Sequence, residues 1–352
     1  MVDCGRGRTG LIAAQGELHW RVVRAAVDGH DSLMPKGRRE MLTVWMSGQV
    51  TGPQLAQIRA AVPNGEVRHF GSQAEMEAQI EEAEVVAGNL SPAALARAKK
   101  LKWVQSWAAG PDALMYPEMI ASPIVCTSCK GNGAIPLAEH AIMLMLMLNR
   151  DMPRWQRAHA EHRWEHRPHG ELNGLTCGII GLGFSGQDLA LKCKAFHMRV
   201  LGTRRTATPT PNVDELFPLD RLHEMLPQCD FVVVTAPRTP DSIGLLGEAE
   251  FRAMKPTAYY ICYSRGGIAD DAALIRAIRE GWIAGGGLDA HDQEPLPADS
   301  PMWDLPNTLV TPHNGATTPQ TRQRGIDIFV ENLRRYQVGE EMVNLIDKQK
   351  GY

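Results

Sequence analysis

The sequence predicts an α/β protein made of two doubly wound parallel-sheet domains. Three observations carry that prediction. First, 352 residues exceed what one core usually organises and leave ample chain for two. Second, short apolar strands alternate with helical stretches in two runs, from Met41 to about Ser128 and from Thr176 onward. Third, the second run opens on a strand, a glycine turn and a helix: Cys177-Gly178-Ile179-Ile180, then Gly181-Leu182-Gly183-Phe184-Ser185-Gly186. Hydrophobic residues make up 44% of the chain and charged residues 22%, as in ordinary globular proteins. A net charge of -3 gives no electrostatic case for binding nucleic acid or an anionic membrane. The most apolar run, from Ala141 to Leu148, is too short to span a bilayer and is expected to be the buried middle of a helix.

Residues 1–40 hold Gly, Arg and Asp without steady apolar periodicity, and they lack the apolar core of a secretory signal. They are expected to be a loose extension ahead of a native start at Met41. Leu42-Thr43-Val44-Trp45-Met46 then opens the first strand pattern. Strands are expected at 42–47, 66–70, 84–88, 101–106 and 123–127, where apolar and β-branched residues cluster. Between them, Gln54 to Arg59 and Pro92 to Arg97 have helical spacing, and Ser91-Pro92 supplies a cap with proline at the first helical position. A long helix is expected from about Ile135 to Arg150, interrupted or ended by Pro153, with a second helical piece running through Trp164. Strands recur near 176–181, 198–202, 230–235, 258–262, 284–288 and 308–311, and a helix from about 317 to 337 closes the chain.

Seven scattered cysteines (4, 126, 129, 177, 193, 229 and 262) suggest free thiols in a reducing, cytoplasmic compartment. Cys126-Thr127-Ser128-Cys129 has CxxC spacing, but no second pair or nearby histidine completes a zinc set, so a plain strand end is expected. His159, His162, His166 and His169 are closely spaced, and the first three could share a helical face. The intervening Arg, Glu and Trp favour a solvent or subunit surface over a metal site, and no metal is expected.

In the glycine turn, Gly181 makes the bend, Gly183 lets main chain approach a pyrophosphate, and Gly186 packs helix on strand. The helix N-terminus at Phe184 and Ser185 then offers free N–H groups and a partial positive charge. The end of the next strand selects the nucleotide. An NAD-type site places Asp or Glu there for the ribose 2′-hydroxyl. Here Met198-Arg199-Val200-Leu201-Gly202 runs into Thr203-Arg204-Arg205, which suit a 2′-phosphate. NADP(H) is therefore expected over NAD(H), with NAD(H) still possible. Ala236, just past the strand near 230–235, is included among the expected cofactor contacts.

Strand 258–262 delivers Tyr263-Ser264-Arg265-Gly266-Gly267 at its C-terminal end, where doubly wound sheets bind ligands. An arginine there can hold a carboxylate bidentately and polarise an adjacent carbonyl. Leu288-Asp289-Ala290 ends the next strand and leads to Glu294-Pro295-Leu296-Pro297, while strand 308–311 presents Pro312-His313-Asn314-Gly315. Glu294 and His313 thus sit on neighbouring strand-end loops. A carboxylate on one imidazole nitrogen fixes the tautomer and favours the protonated ring, so the other nitrogen can donate to a nascent alkoxide.

Together these motifs resemble the D-isomer-specific 2-hydroxyacid dehydrogenases over roughly Met41 to Tyr352. Asn132 to His140 resembles that family's entry into a long interdomain helix. The resemblance implies a flavodoxin-like substrate domain (41–140 plus 318–352) and a Rossmann coenzyme domain (141–317), usually assembled as a homodimer. It also implies that Arg265 grips substrate, His313 is the acid/base and Glu294 supports it. Asp289 matches a position that contacts the nicotinamide carboxamide, and Ala109 and Gly110 match a loop whose N–H groups hold the substrate carboxylate. Phe184 and Ser185 replace the family's usual Arg-Ile. His291-Asp292 stands where an aromatic-acidic pair is common.

The expected activity is reduction of small 2-oxo acids, such as glyoxylate or hydroxypyruvate, to D-2-hydroxy acids. Rival expectations are a nucleotide-sensing corepressor-like protein, a phosphoglycerate dehydrogenase and a formate dehydrogenase. Glu294 argues against the last, whose resembling members pair histidine with glutamine. The absence of an added regulatory domain after Tyr352 makes an amino-acid-regulated phosphoglycerate enzyme less attractive. Asn89, Trp45 and Trp107 are expected, from position alone, to line the cleft between the domains.

Overall fold

The structure is a computed structural model and describes residues 41–205 and 208–351. The expected extension at 1–40, the start at Met41 and Cys4 lie outside those residues or at their edge.

The first strand–helix run forms a five-stranded parallel sheet of β1 (Thr43–Ser47), β2 (Glu66–Phe70), β3 (Val85–Ala87), β4 (Trp103–Gln105) and β5 (Val125–Thr127), in the order β2-β1-β3-β4-β5. Its helices are α1 (Gly52–Ala61), α2 (Gln73–Glu77), α3 (Pro92–Arg97) and α4 (Pro117–Ala121). Local chemistry starts them. The Thr51 and Ser91 side chains accept from main-chain N–H groups three residues on, and a proline occupies the first turn of both α1 and α3. Trp45, Val86, Val104 and Met76 fill one face of the sheet, and burying a side chain of that size contributes about 1.5–3 kcal/mol.

Two helices follow, α5 (Ala134–Asn149) and α6 (Met152–Ala160). The second run then builds a seven-stranded sheet of β6 (Thr176–Ile180), β7 (Arg199–Thr203), β8 (Glu215–Phe217), β9 (Phe231–Val234), β10 (Tyr259–Cys262), β11 (Gly285–Leu288) and β12 (Thr308–Val310). All its pairings are parallel and the order is β12-β11-β10-β9-β6-β7-β8. Cores fill both faces. Ile180, Val232, Tyr260 and Leu288 lie on one, and Ile179, Val200, Val233 and Ile261 lie on the other. α7 (Phe184–Ala195), α8 (Leu222–Met225), α9 (Glu248–Ala253) and α10 (Asp271–Arg279) connect the strands, and α11 (Pro319–Val338) closes the chain.

α5 lies against α7 and the sheet. The glycine run of β11 makes this possible: a Cβ on Gly287 would stand 3.1 Å from the Leu144 side chain, so the helix sits on bare strand backbone. α11 instead returns to the first sheet. Its Gln323 accepts from Gln54 at 3.1 Å, and the buried Asn332 amide donates to Gln105 at 3.2 Å. The expected domain boundary at 140/141 falls inside α5.

Several expectations are corrected in detail. Pro153 neither interrupts nor ends the long helix. α5 stops at Asn149, Asp151 takes a left-handed φ of 54°, and Pro153 lies in the first turn of α6. α6 ends at Ala160, short of Trp164, so His162 and His166 are not on a helix. Among the described residues no three His, Cys, Asp or Glu side chains cluster as metal ligands. The apolar run of α5 is buried on one face only, with Met143 40% exposed. β8 was not anticipated, because Glu215-Leu216-Phe217 is a short edge strand with only one apolar repeat. Cys126 ends up within β5 and Cys129 just after it, and all six described cysteines are free and buried.

Candidate active site

Because every strand of the seven-stranded sheet runs the same way, their C-terminal ends share one edge. The strand order reverses between β6 and β9, and a crevice opens where the loops after them part. Gly181 ends β6 at φ 99°, and a Cβ there would stand 2.7 Å from the Ala236 nitrogen after β9. Only glycine lets the two loops meet this closely. A Cβ on Gly186 would be 2.2 Å from the Gly181 carbonyl oxygen, so this glycine lets α7 sit on the turn. At Gly183, by contrast, a Cβ would meet nothing within 4 Å. The open space lies at the N-terminus of the twelve-residue α7, where N–H groups point outward. This cradle fits a pyrophosphate.

The flanking residues divide. The Phe184 ring packs on Gly131, within 3.2 Å of where a Cβ would stand, so its approach to a phosphate is through main chain. Ser185 is partly exposed in the first turn of α7. Thr203 is buried, and its carbonyl accepts from the Gly181 N–H at 3.0 Å. Beyond it Arg204 donates to the Thr210 hydroxyl at 3.1 Å, and Arg205 lies 3.6 Å from Asp241.

On the other side of the crevice, the loops after β10, β11 and β12 bring the charged groups together. The Arg265 guanidinium donates to the Ser264 carbonyl at 2.7 Å and meets Asp112 at 3.2 Å. Asp112 belongs to the loop after β4, and a Cβ on Gly110 would be 2.2 Å from the Arg265 guanidinium. Gly110 thus lets the first sheet's loop touch Arg265, and Ala109 beside it is exposed. On the opposite flank of the turn, a Cβ on Gly266 would be 2.0 Å from the main-chain carbon of His291, so the Arg265 and Glu294 loops lie in contact.

The Glu294 carboxylate accepts from His313 Nδ1–H at 2.8 and 2.9 Å, which leaves Nε2 as the outward-facing nitrogen. The main-chain N–H of His291 also donates to Glu294, at 2.9 Å. Burial alone would raise the Glu294 carboxyl, but the His291 N–H and the His313 ring outweigh it and hold the group below its ordinary range. His291 Nε2–H donates to the Thr311 carbonyl at 3.1 Å, tying this loop to the segment that carries His313.

Asp289, expected at the nicotinamide, is wholly buried. It accepts from the Thr311 hydroxyl at 2.6 Å and from the N–H groups of Asn314 and Gly315 at 2.9 Å each. Of the three residues expected to line the cleft, Trp45 is buried inside the first sheet against Phe70. Trp107 is partly buried and donates to the Ser47 carbonyl at 2.9 Å, while Asn89 is exposed. Sequence reasoning missed Asp112 and Thr311, and the contact of His140 Nε2 with the Thr311 hydroxyl at 3.1 Å. A histidine inside the apolar α5 pattern was the one available signal.

A reversing parallel sheet with a glycine cradle at its switch point, and cationic, acidic and imidazole groups on the neighbouring strand ends, defines the class of nicotinamide-dependent oxidoreductases. Comparison with known proteins narrows this. Residues 142–315 match the model of the D-isomer specific 2-hydroxyacid dehydrogenase NAD binding domain. The chain is 33% identical to a glyoxylate reductase of Korarchaeum cryptofilum over 261 residues, covering 72% of this chain and 78% of that protein. It is 31% identical to a D-3-phosphoglycerate dehydrogenase of Archaeoglobus fulgidus over 84% of this chain, but spans only 54% of that longer protein. Its structure resembles a D-isomer specific 2-hydroxyacid dehydrogenase of Xanthobacter autotrophicus, solved with NADPH and MES, at TM-score 0.79 and 31% identity, covering 89% of this chain and all of the other. The chain belongs to the D-isomer specific 2-hydroxyacid dehydrogenases, and is an NAD(P)-dependent oxidoreductase.

Proposed function

We propose that the enzyme reduces small 2-oxo acids of the glyoxylate and hydroxypyruvate kind to D-2-hydroxy acids, with NADP(H) preferred over NAD(H). The observation that carries this reading is the His313–Glu294 pair at 2.8 Å, on strand ends next to the one that delivers Arg265. Arg265 grips the substrate carboxylate and polarises the keto oxygen, while the N–H groups of Ala109 and Gly110 complete the anion site from the other sheet. His313 gives a proton from Nε2 to the forming alkoxide, and Glu294 stabilises the charged ring. The bound nicotinamide supplies the hydride. Gly181, Gly183 and Gly186, with the first N–H groups of α7 and Ala236, hold its pyrophosphate. Asp289 takes a supporting part, holding the loop of His313 in place.

The cofactor preference rests on Arg204 and Arg205 directly after β7, where a carboxylate would repel a 2′-phosphate. The NADPH in the Xanthobacter relative supports the cofactor assignment, and the glyoxylate reductase name of the Korarchaeum relative supports the substrate class. Steady-state kinetics with both nucleotides and a panel of glyoxylate, hydroxypyruvate, phosphohydroxypyruvate and formate tests it. NADPH with either of the first two should give the highest kcat/KM. A clear NADH preference overturns the cofactor assignment, and a preference for phosphohydroxypyruvate or formate overturns the substrate class. Nucleotide binding without turnover on any of them would favour a sensing protein.

A homodimer is also proposed. α5 and α7 pack side by side and expose Ile135, Met143 and Leu191 at 40–47%, a surface suited to a second copy. Light scattering coupled to size-exclusion chromatography decides it; a monomer mass refutes the dimer. The six buried thiols fit a reducing cytoplasm, and no helix among the described residues is long and apolar enough to cross a membrane.

A further inference from the structure

His313 has a left-handed backbone, φ 50°, without being glycine. Such a conformation persists only where surrounding contacts impose it. Here the contact is the buried Asp289 carboxylate, whose two oxygens each take one N–H from the residues just beyond, Asn314 and Gly315. Asp289 in turn accepts the Thr311 hydroxyl proton at 2.6 Å. That hydroxyl has one hydrogen, already given away, so toward His140 Nε2 at 3.1 Å it can only accept. His140 must therefore carry its proton on Nε2. The same nitrogen lies 3.6 Å from Asp289, placing the donor between hydroxyl and carboxylate.

His140 belongs to α5 and not to the strand-end loops, so it joins the helix to the segment that holds His313. The packing is close. A Cβ on Gly315 would stand 2.9 Å from the Asp289 carboxylate and 3.2 Å from the His140 ring, and one on Gly133 would stand 3.0 Å from Ala316. Burial keeps the His140 imidazole below its ordinary range despite the opposing pull of Asp289.

We propose that His140 is a positioning residue for His313, acting as an Nε2–H donor through Thr311 and Asp289, so that α5 sets the pose of the acid/base loop. This rests on the proposed 2-oxo acid reduction for its kinetic readout. The structural readout stands apart from that reading.

The test uses full-length His140→Phe, which keeps the ring but loses the donor, and His140→Gln, whose amide restores a donor near the same place. Thr311→Val removes the bridge from the other side and serves if His140→Phe does not fold. With NADPH and glyoxylate, His140→Phe and Thr311→Val should each lower kcat by about 10–100-fold, as loss of positioning does, while NADPH affinity stays unchanged. The double variant should be no worse than either single one, and His140→Gln should recover most of the rate. Amide hydrogen exchange of the peptide spanning 311–317 should speed up in His140→Phe and return toward wild type in His140→Gln. Wild-type kcat together with wild-type exchange in His140→Phe and Thr311→Val overturns the proposal. So does a His140→Gln variant no better than His140→Phe. If the wild-type enzyme turns over no 2-oxo acid, the functional reading falls, and the exchange data alone decide whether His140 holds the loop.

Discussion

The two halves of the ligand-binding edge use opposite means. On the side of β6, β7 and β9, the cradle is built from missing side chains: Gly181 and Gly186 let backbone meet backbone, and Gly183 leaves space. On the side of β10, β11 and β12, it is built from charged side chains, each held by a partner: Arg265 by Asp112, His313 by Glu294, and the loop beneath by Asp289. A nucleotide common to many reactions can be held by main chain. A chemistry particular to one reaction needs groups that ionise, and those need neighbours to fix them.

Substitutions should therefore separate the halves, and four of them rank by expected size. The largest effect belongs to His313→Asn, a residue that tolerates the left-handed backbone. It should lower kcat/KM by about 10³-fold or more with unchanged nucleotide affinity, measured by steady-state kinetics and NADPH fluorescence titration. Arg265→Ala comes next, with a loss of about 10²–10³-fold that falls largely on the 2-oxo acid and not on the nucleotide. Near-normal turnover in either variant would remove the contrast.

Gly181→Ala acts on the other half. Strain at φ 99° and collision with Ala236 should weaken nucleotide binding by about 10–100-fold, corresponding to about 1–3 kcal/mol, while kcat at saturation changes less. If the two arginines hold a 2′-phosphate as proposed, replacing Arg204 and Arg205 together by Ala should raise the KM for NADPH about tenfold and leave that for NADH nearly unchanged. Equal effects on both nucleotides would locate the arginines outside the phosphate site.

The smallest effect is the response to pH. Glu294 is held below its ordinary value of 4.5, so the pairing it gives the folded protein is fully present above that value. It is lost only as pH falls through the lower folded value. Glu294 should therefore add no acid-side inflection to kcat above pH 4.5, and Glu294→Gln should lower kcat at neutral pH without shifting one. An inflection above pH 4.5 that disappears in Glu294→Gln would show that the carboxyl is not depressed.

Much of this was legible in the sequence for a physical reason. Parallel strands buried on both faces write themselves as apolar runs, as β6, β9 and β10 do, and eleven of the twelve described strands fall in the expected segments. β8 escaped because Glu215-Leu216-Phe217 is short and offers only two apolar residues. The glycine turn and the Arg, Glu and His motifs were legible because their spacing relative to strand ends is nearly fixed by the fold. What stayed hidden was the second layer. Nothing near Asp289 announces that its carboxylate accepts from Asn314 and Gly315, and nothing near His140 points to Thr311, 171 positions later. The placement of Trp45 from position alone failed because β1 is covered on both faces, with Val44, Trp45 and Met46 all buried.

The glycines of β11 have a mechanical corollary. With no side chains between Leu144 and the strand backbone, the helix above rests on a hard floor with no compressible layer beneath it. A single methyl at Gly287 would press on the Leu144 side chain, which would have to give by a few tenths of an ångström. Attempts to stiffen the enzyme by exchanging strand glycines for better β formers should leave this one alone.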